Sequence, residues 1–197
     1  MINKFDGNIR FILASQSPRR QQLLKELIPE FEVIPVDVEE VFPSHLKGEE
    51  IALYLSELKA KAFNKDLLSE GGLIITADTI VWQNGEILPK PIDFADAEKI
   101  LHKLSGNVHE VITGVSLRMK SKMKTFSATT KVFFKELTTE EIHFYINNYK
   151  PYDKAGAYGI QEWIGFIGIE KIEGSYFNVV GLPVQKLYTE LIEFLKE

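Results

Sequence analysis

Ten residues constrain this chain more than any others: Leu73-Ile74-Ile75-Thr76-Ala77-Asp78-Thr79-Ile80-Val81-Trp82. A continuous apolar run of this length predicts a strand buried on both faces rather than a half-exposed one. One ionisable side chain interrupts it. Asp78 in such a strand must be ion-paired, metal-bound or shifted in its titration, because an isolated buried carboxylate is costly. The other reading is an aspartate that caps a turn at the strand end. The Asn84-Gly85 pair that follows signals a type I′ hairpin leading into Glu86-Ile87-Leu88.

The second constraint lies near the start of the sequence. Phe11-Ile12-Leu13-Ala14 reads as a buried strand, and Ser17-Pro18 reads as a helix start, with serine at the N-cap and proline at the first helical position. The predicted unit is strand, tight turn, helix. Its turn leaves backbone N–H groups at a helix N-terminus next to Arg19 and Arg20, an arrangement suited to a phosphate. An ordinary helix start with a solvated arginine pair fits the same residues.

Charge sharpens that choice. The 197 residues carry a net charge of -5, which argues against sequence-independent binding to nucleic acid or to an anionic membrane. Any polyanionic substrate must then be met by a local basic site. With 45% hydrophobic and 26% charged residues, the composition is that of a globular chain able to form one domain or two closely joined lobes. The absence of cysteine excludes disulfides, thiolate catalysis and cysteine-ligated zinc, and fits a reducing cytoplasm. No segment has the length of a transmembrane helix, and residues 1–11 lack a long apolar core of the secretory kind. The expectation is a cytoplasmic domain over residues 1–197, with a short tail at 1–8.

Between these landmarks, Phe31 to Val36 alternates as a strand that runs into Asp37, Glu39 and Glu40. That acidic group is a solvated loop or one wall of a divalent-metal site. Residues 48–63 form an amphipathic helix with Ile51, Leu55, Leu58 and Ala62 on one stripe and Lys59 on its flank, placed either to snorkel or to reach inward. In Pro89-Lys90-Pro91 the two prolines hold a lysine in an extended segment, as a surface turn or as a preorganised phosphate ligand. Further helices are predicted at 94–104, capped by Asp93, at 138–148, opened by a Thr138/Glu141 capping box, and at 184–195. Strands are predicted at 108–119 and 124–134, with two more between Trp163 and Val180 about Glu173-Gly174. His45, His102, His109 and His143 show no metal-ligand spacing and read as structural.

Several of these segments together resemble one family. Leu13-Ala14-Ser15-Gln16-Ser17-Pro18-Arg19-Arg20 resembles the signature of the Maf family of nucleoside triphosphate pyrophosphatases. The match continues through Glu40, Glu57-Leu58-Lys59-Ala60-Lys61-Ala62, Ala77-Asp78-Thr79, Lys90-Pro91, the Asp153 to Gln161 string and Gly174 to Val184, so it spans residues 11 to about 190. Thr113-Gly114-Val115 resembles the family too and reads chiefly as packing.

The resemblance implies an α/β fold, a central mixed β-sheet flanked by helices and divided into two lobes with an active-site cleft. It implies hydrolysis of a nucleoside triphosphate to monophosphate and pyrophosphate, with magnesium or manganese as cofactor and a homodimeric assembly. By the same resemblance Asp78 is the proton acceptor, Lys59 and Lys90 act with Ser15 and Arg20 on the triphosphate, and Glu40 and Asp78 are the metal ligands. Arg19, Thr79 and Gln161 are then specificity positions, and retention of the Ser-Pro-Arg-Arg, Ala-Asp-Thr and Gly-Ile-Gln motifs resembles the subgroup acting on dTTP and UTP. Two alternatives stand beside this: the same chemistry on a modified or other nucleotide, and a non-catalytic regulator of cell division and septum formation.

Overall fold

The computed structural model describes residues 9–64, 68 and 71–196, so the tail expected at 1–8 lies outside the described residues. Seven strands, β1 (Arg10–Leu13), β2 (Glu32–Val33), β3 (Gly72–Gln83), β4 (Glu86–Leu88), β5 (Val108–Arg118), β6 (Met123–Phe134) and β7 (Ile169–Glu173), form one mixed sheet in the order β2-β1-β3-β5-β6-β7, with β4 paired to β3. The chain divides into two units. The first comprises residues 1–78, 113–128 and 181–197, and the second residues 79–112 and 129–180.

In the first unit, β1 (Arg10–Leu13) lies parallel to both β2 (Glu32–Val33) and β3 (Gly72–Gln83), with Ile12 opposite Ile74 and Leu13 opposite Ile75. Side chains alternate across the sheet. Phe11, Leu13, Leu73 and Ile75 point to a cluster completed by Leu24 of α1 (Pro18–Leu27) and by Leu187, Leu191 and Phe194 of α7 (Val184–Lys196). Ile12, Ala14 and Ile74 form a separate cluster with Phe63 and Leu68. Helices thus cover both faces of β3, which explains why its apolar run is unbroken where a one-sided strand would alternate.

Helix α2 (Glu49–Ala62) covers the second of these faces. Its buried stripe is Ile51, Ala52, Leu55, Ser56, Lys59 and Ala60. This corrects the expected stripe, because Ala62 is exposed, Leu58 is half-buried and Lys59 sits within the covered face. The reason lies in the sheet. Thr76 of β3 donates to the Ser56 carbonyl at 2.7 Å, and the Ser56 hydroxyl lies 3.2 Å from that of Ser116 on β5 (Val108–Arg118). A hydroxyl layer, and not only an apolar one, therefore sets the helix rotation. At Gly114 the helix backbone comes so near that an added Cβ would lie 2.1 Å from the Ala52 carbonyl oxygen.

The second unit takes the remainder of β3 through the Asn84-Gly85 turn, both residues at positive φ, into β4 (Glu86–Leu88). Helix α3 (Phe94–Leu104) is capped by the Asp93 side chain, which accepts from the Asp96 N–H. Helix α4 (Thr139–Tyr149) carries the full Thr138/Glu141 capping box. Leu101, Leu104, Val132, Ile142, Tyr145, Ile146 and Ile164 form the core of this unit. Strand β6 (Met123–Phe134) pairs antiparallel with β7 (Ile169–Glu173).

Two expectations change. The strand expected over 31–36 keeps only Glu32–Val33, because Pro35 cannot donate to the ladder; Ile34 and Val36 still pack on the Ile12 and Ile74 cluster. The two strands expected between Trp163 and Val180 are instead helix α5 (Trp163–Gly168), the strand β7 and helix α6 (Tyr176–Val180). Gly165 makes the first of these possible, for the backbone folds back so tightly that a Cβ there would sit 1.8 Å from the Ile160 carbonyl oxygen. The second follows from Ser175, whose hydroxyl accepts the Asn178 N–H at 3.4 Å.

Two outcomes follow from this packing. Gly114→Ala should destabilise the protein by about 1–3 kcal/mol, since α2 must move off β5, and a urea titration reads the loss. His109, 1% exposed, bonds through Nε2 to the Tyr158 hydroxyl at 2.7 Å, and burial pushes its imidazole down to about 3 from 6.5. An unfolded chain binds that proton near 6.5 and the folded chain only near 3. The associated stability is therefore complete above pH 6.5 and declines by about 1.4 kcal/mol per pH unit below it. His109→Gln should flatten the fall in stability between pH 7 and 5, and an unchanged slope would contradict the assignment.

Candidate active site

The turn after β1 is fixed by its own side chains. The Ser15 hydroxyl, on a residue 9% exposed, accepts the Ser17 N–H at 3.2 Å, and the Ser17 hydroxyl accepts the Arg20 N–H at 3.4 Å. Arg20 reaches back across the same turn. Its Nη1 donates to the Ala77 carbonyl at 2.8 Å and approaches the Ser15 hydroxyl at 3.5 Å, while Nε donates to the Gly181 carbonyl at 2.9 Å. The guanidinium thus ties helix α1 to β3 just before Asp78. Burial lowers the Arg20 pKa from its ordinary value, and the negative charge of Asp78 opposes that shift.

Lys59 is the centre of the site. Its ammonium lies 2.5 Å from Asp78 Oδ1 and 2.7 Å from Glu40 Oε1. Asp78 is 6% exposed and Lys59 9% exposed, so their mutual attraction acts with little screening. Each side chain arrives from a different element: Asp78 from β3, Lys59 from the last turn of α2, and Glu40 from the segment after β2. The register explains the meeting. Thr76 and Asp78 share one face of β3, and they meet Ser56 and Lys59, which lie about one turn apart on α2.

Ser15, Arg20, Glu40, Lys59 and Asp78 thus come together in the first unit, with Arg19 half-buried beside Arg20. Glu40 and Asp78 are two carboxylates converging on one ammonium, and two carboxylates completed by phosphate oxygens are a donor set that a hard dication accepts. Among the described residues no three His, Asp or Glu side chains form a metal-binding group. Asp37 and Glu39 are exposed.

Thr79, Lys90 and Gln161 belong to the second unit. Thr79 is half-buried on β3 next to Asp78, and Lys90 is exposed between its two prolines. Pro89 is held by a hydrogen bond from the Gly156 N–H to its carbonyl at 3.2 Å, so the Lys90 segment is anchored to the loop that leads to Gln161. The Gln161 Oε1 atom is buried and accepts no hydrogen bond from the described residues. A buried carbonyl oxygen left in that state is a ready acceptor for a ligand N–H.

Lys154, Glu162 and Tyr145 escaped the sequence reading. Lys154, 8% exposed, lies 2.7 Å from Asp153 Oδ1 and 3.1 Å from Glu162 Oε1. The Tyr145 hydroxyl donates to Glu162 Oε2 and accepts the Gly159 N–H at 3.0 Å. Asp153 and Lys154 lie inside the Asp153 to Gln161 string and Glu162 directly after it, while Tyr145 comes from α4, so no local signal announced the network. Among the described residues no helix is long and apolar enough to cross a membrane.

Comparison with known proteins places these motifs. The chain is 55% identical over 183 residues to a dTTP/UTP pyrophosphatase of Phocaeicola vulgatus, covering 92% of this chain and 94% of that one. A dTTP/UTP pyrophosphatase of Flavobacterium psychrophilum is 51% identical over 192 residues, covering 98% of each chain. Among solved structures, a HAM1 protein from Coxiella burnetii shares the fold at a TM-score of 0.52 and 17% identity, covering 94% of this chain and 99% of that one. The family described as Maf-like protein matches residues 10–194, and with this coverage of the sheet, the Ser15 turn and the Lys59 cluster the chain belongs to the Maf family.

Proposed function

We propose that this protein is a nucleoside triphosphate pyrophosphatase that hydrolyses dTTP and UTP to the monophosphate and pyrophosphate, as a housecleaning activity on the nucleotide pool. The observation that carries the reading is the Lys59 ammonium held between Asp78 and Glu40 beside the Ser15–Arg20 turn. Its relatives named dTTP/UTP pyrophosphatase supply the substrate class.

The reaction forms a bond from water oxygen to the α-phosphorus and breaks the α–β phosphoanhydride, with pyrophosphate leaving. Such transfers need positioning and charge stabilisation more than covalent help. Ser15 and Arg20 hold phosphate oxygens at the start of α1, where the helix N-terminus favours negative charge. Lys59 orients the Asp78 carboxylate and adds positive charge, and Lys90 contributes a second ammonium from its rigid segment. Asp78 takes the proton of the attacking water. Magnesium or manganese bound by Glu40 and Asp78 would supply Lewis-acid charge on the phosphate oxygens.

Arg19, Thr79 and Gln161 read the base. The unpartnered Gln161 Oε1 suits the imide N–H shared by thymine and uracil, and the amide nitrogen suits a neighbouring carbonyl. We place the enzyme in the cytoplasm as a homodimer, on the cysteine-free composition and the family resemblance.

The test is pyrophosphate release from dTTP, UTP, CTP and 7-methylguanosine triphosphate with and without magnesium or manganese. Metal-dependent release that strongly favours dTTP and UTP over the other two is expected, and release from none of the four would overturn the reading. Asp78→Asn should lower kcat by about 10²–10⁴ while the fold is retained, as followed by circular dichroism. Arg19→Trp should lower kcat/KM for dTTP and UTP at least about tenfold, a loss of about 1.4 kcal/mol, without altering the metal dependence.

A further inference from the structure

A partly buried ion network is built into the loop that carries Gln161. Lys154 is flanked by Asp153 and Glu162, and Glu162 accepts from the Tyr145 hydroxyl, which in turn accepts the Gly159 N–H. Tyr145 is fully buried in the core of the second unit. Burial and the adjacent Glu162 raise its pKa above the ordinary phenol value, so the hydroxyl keeps its proton and remains the donor.

Gly159 is the point of contact between network and Gln161. A Cβ on Gly159 would lie 3.0 Å from Gln161 Nε2 and 3.1 Å from Glu162 Oε2, so both side chains close over the glycine. The rest of the loop is pinned as well. Tyr158 bonds to His109, and the Gly156 N–H reaches the Pro89 carbonyl. Gln161 Nε2 and Glu162 Oε2 crowd the same space over Gly159.

Buried ion pairs contribute little net stability compared with packed apolar groups, whereas a satisfied network fixes one arrangement of the atoms around it. We propose that Tyr145 and Glu162, supported by Lys154, are positioning residues that fix Gln161 for discrimination of the pyrimidine imide edge. The inference rests on the proposed role of Gln161 in reading the base. Neither Tyr145 nor Glu162 is assigned contact with the nucleotide; they act through Gly159 and Gln161.

The experiment measures kcat/KM for UTP and for CTP with the full chain, its Gln161→Ala, Tyr145→Phe, Glu162→Ala and Glu162→Gln variants, and the Gln161→Ala/Tyr145→Phe double variant. The ratio of the two values is independent of the fraction folded, so a loss of stability alone leaves it unchanged. Tyr145→Phe and Glu162→Ala should lower the UTP to CTP ratio about tenfold through the KM for UTP. Glu162→Gln, whose amide oxygen still accepts from Tyr145, should retain most of it. In the double variant, Tyr145→Phe should add nothing to the effect of Gln161→Ala. A ratio lowered by Gln161→Ala but unchanged by Tyr145→Phe and Glu162→Ala would overturn this proposal and leave the base-reading role of Gln161 standing. A ratio unchanged by Gln161→Ala would overturn both.

Discussion

A buried ammonium between two carboxylates is a demanding arrangement, and much of the first unit serves to hold it. Removing Lys59 and Asp78 from water costs several kcal/mol per ion, which mutual attraction offsets only when the geometry is good. Good geometry here requires α2 at a set distance, rotation and register. Gly114 sets the distance by letting helix backbone meet strand backbone. Ser56, Thr76 and Ser116 set the rotation, because the Thr76 hydroxyl reaches the Ser56 carbonyl and the Ser56 and Ser116 hydroxyls meet only when that face of the helix turns inward. Glu40 then approaches the same ammonium from the segment after β2.

The second unit solves a different problem with the same means. A loop rich in small residues can approach a ligand but is poor at holding a side chain still. Gly156 at positive φ turns the loop against Val81, Tyr158 anchors it to His109, and Tyr145 takes the Gly159 N–H. Tertiary hydrogen bonds provide order that local propensity does not.

Local physics made the first elements readable. The Ser17-Pro18 start, the Asn84-Gly85 turn, the Asp93 cap and the Thr138/Glu141 box each act over four residues or fewer, and each is present. Asp78 stood out because a charge in an apolar strand has few permitted explanations. Resemblance to the family, more than periodicity, pointed to Lys59, which the helical stripe left on a flank. What stayed hidden was nonlocal. Helix α5 depends on Gly165 folding against Ile160, α6 depends on Ser175 and Asn178, and neither leaves a periodic trace in so few residues. Tyr145 and Glu162 meet across 17 positions of sequence, with nothing in either neighbourhood to announce the pair.

The alternation along β3 carries a consequence for how the chain finds its structure. Ala77 faces the cluster of Phe11, Leu13, Leu24 and Leu187, while Asp78 faces Lys59. Sliding the strand by one position would drive the carboxylate into that apolar cluster and leave the lysine facing a methyl group. An aliphatic strand of this length, free of charge, would tolerate several pairings almost equally. The group assigned to chemistry therefore also marks the frame, penalising a shifted register of β3 before any nucleotide is encountered.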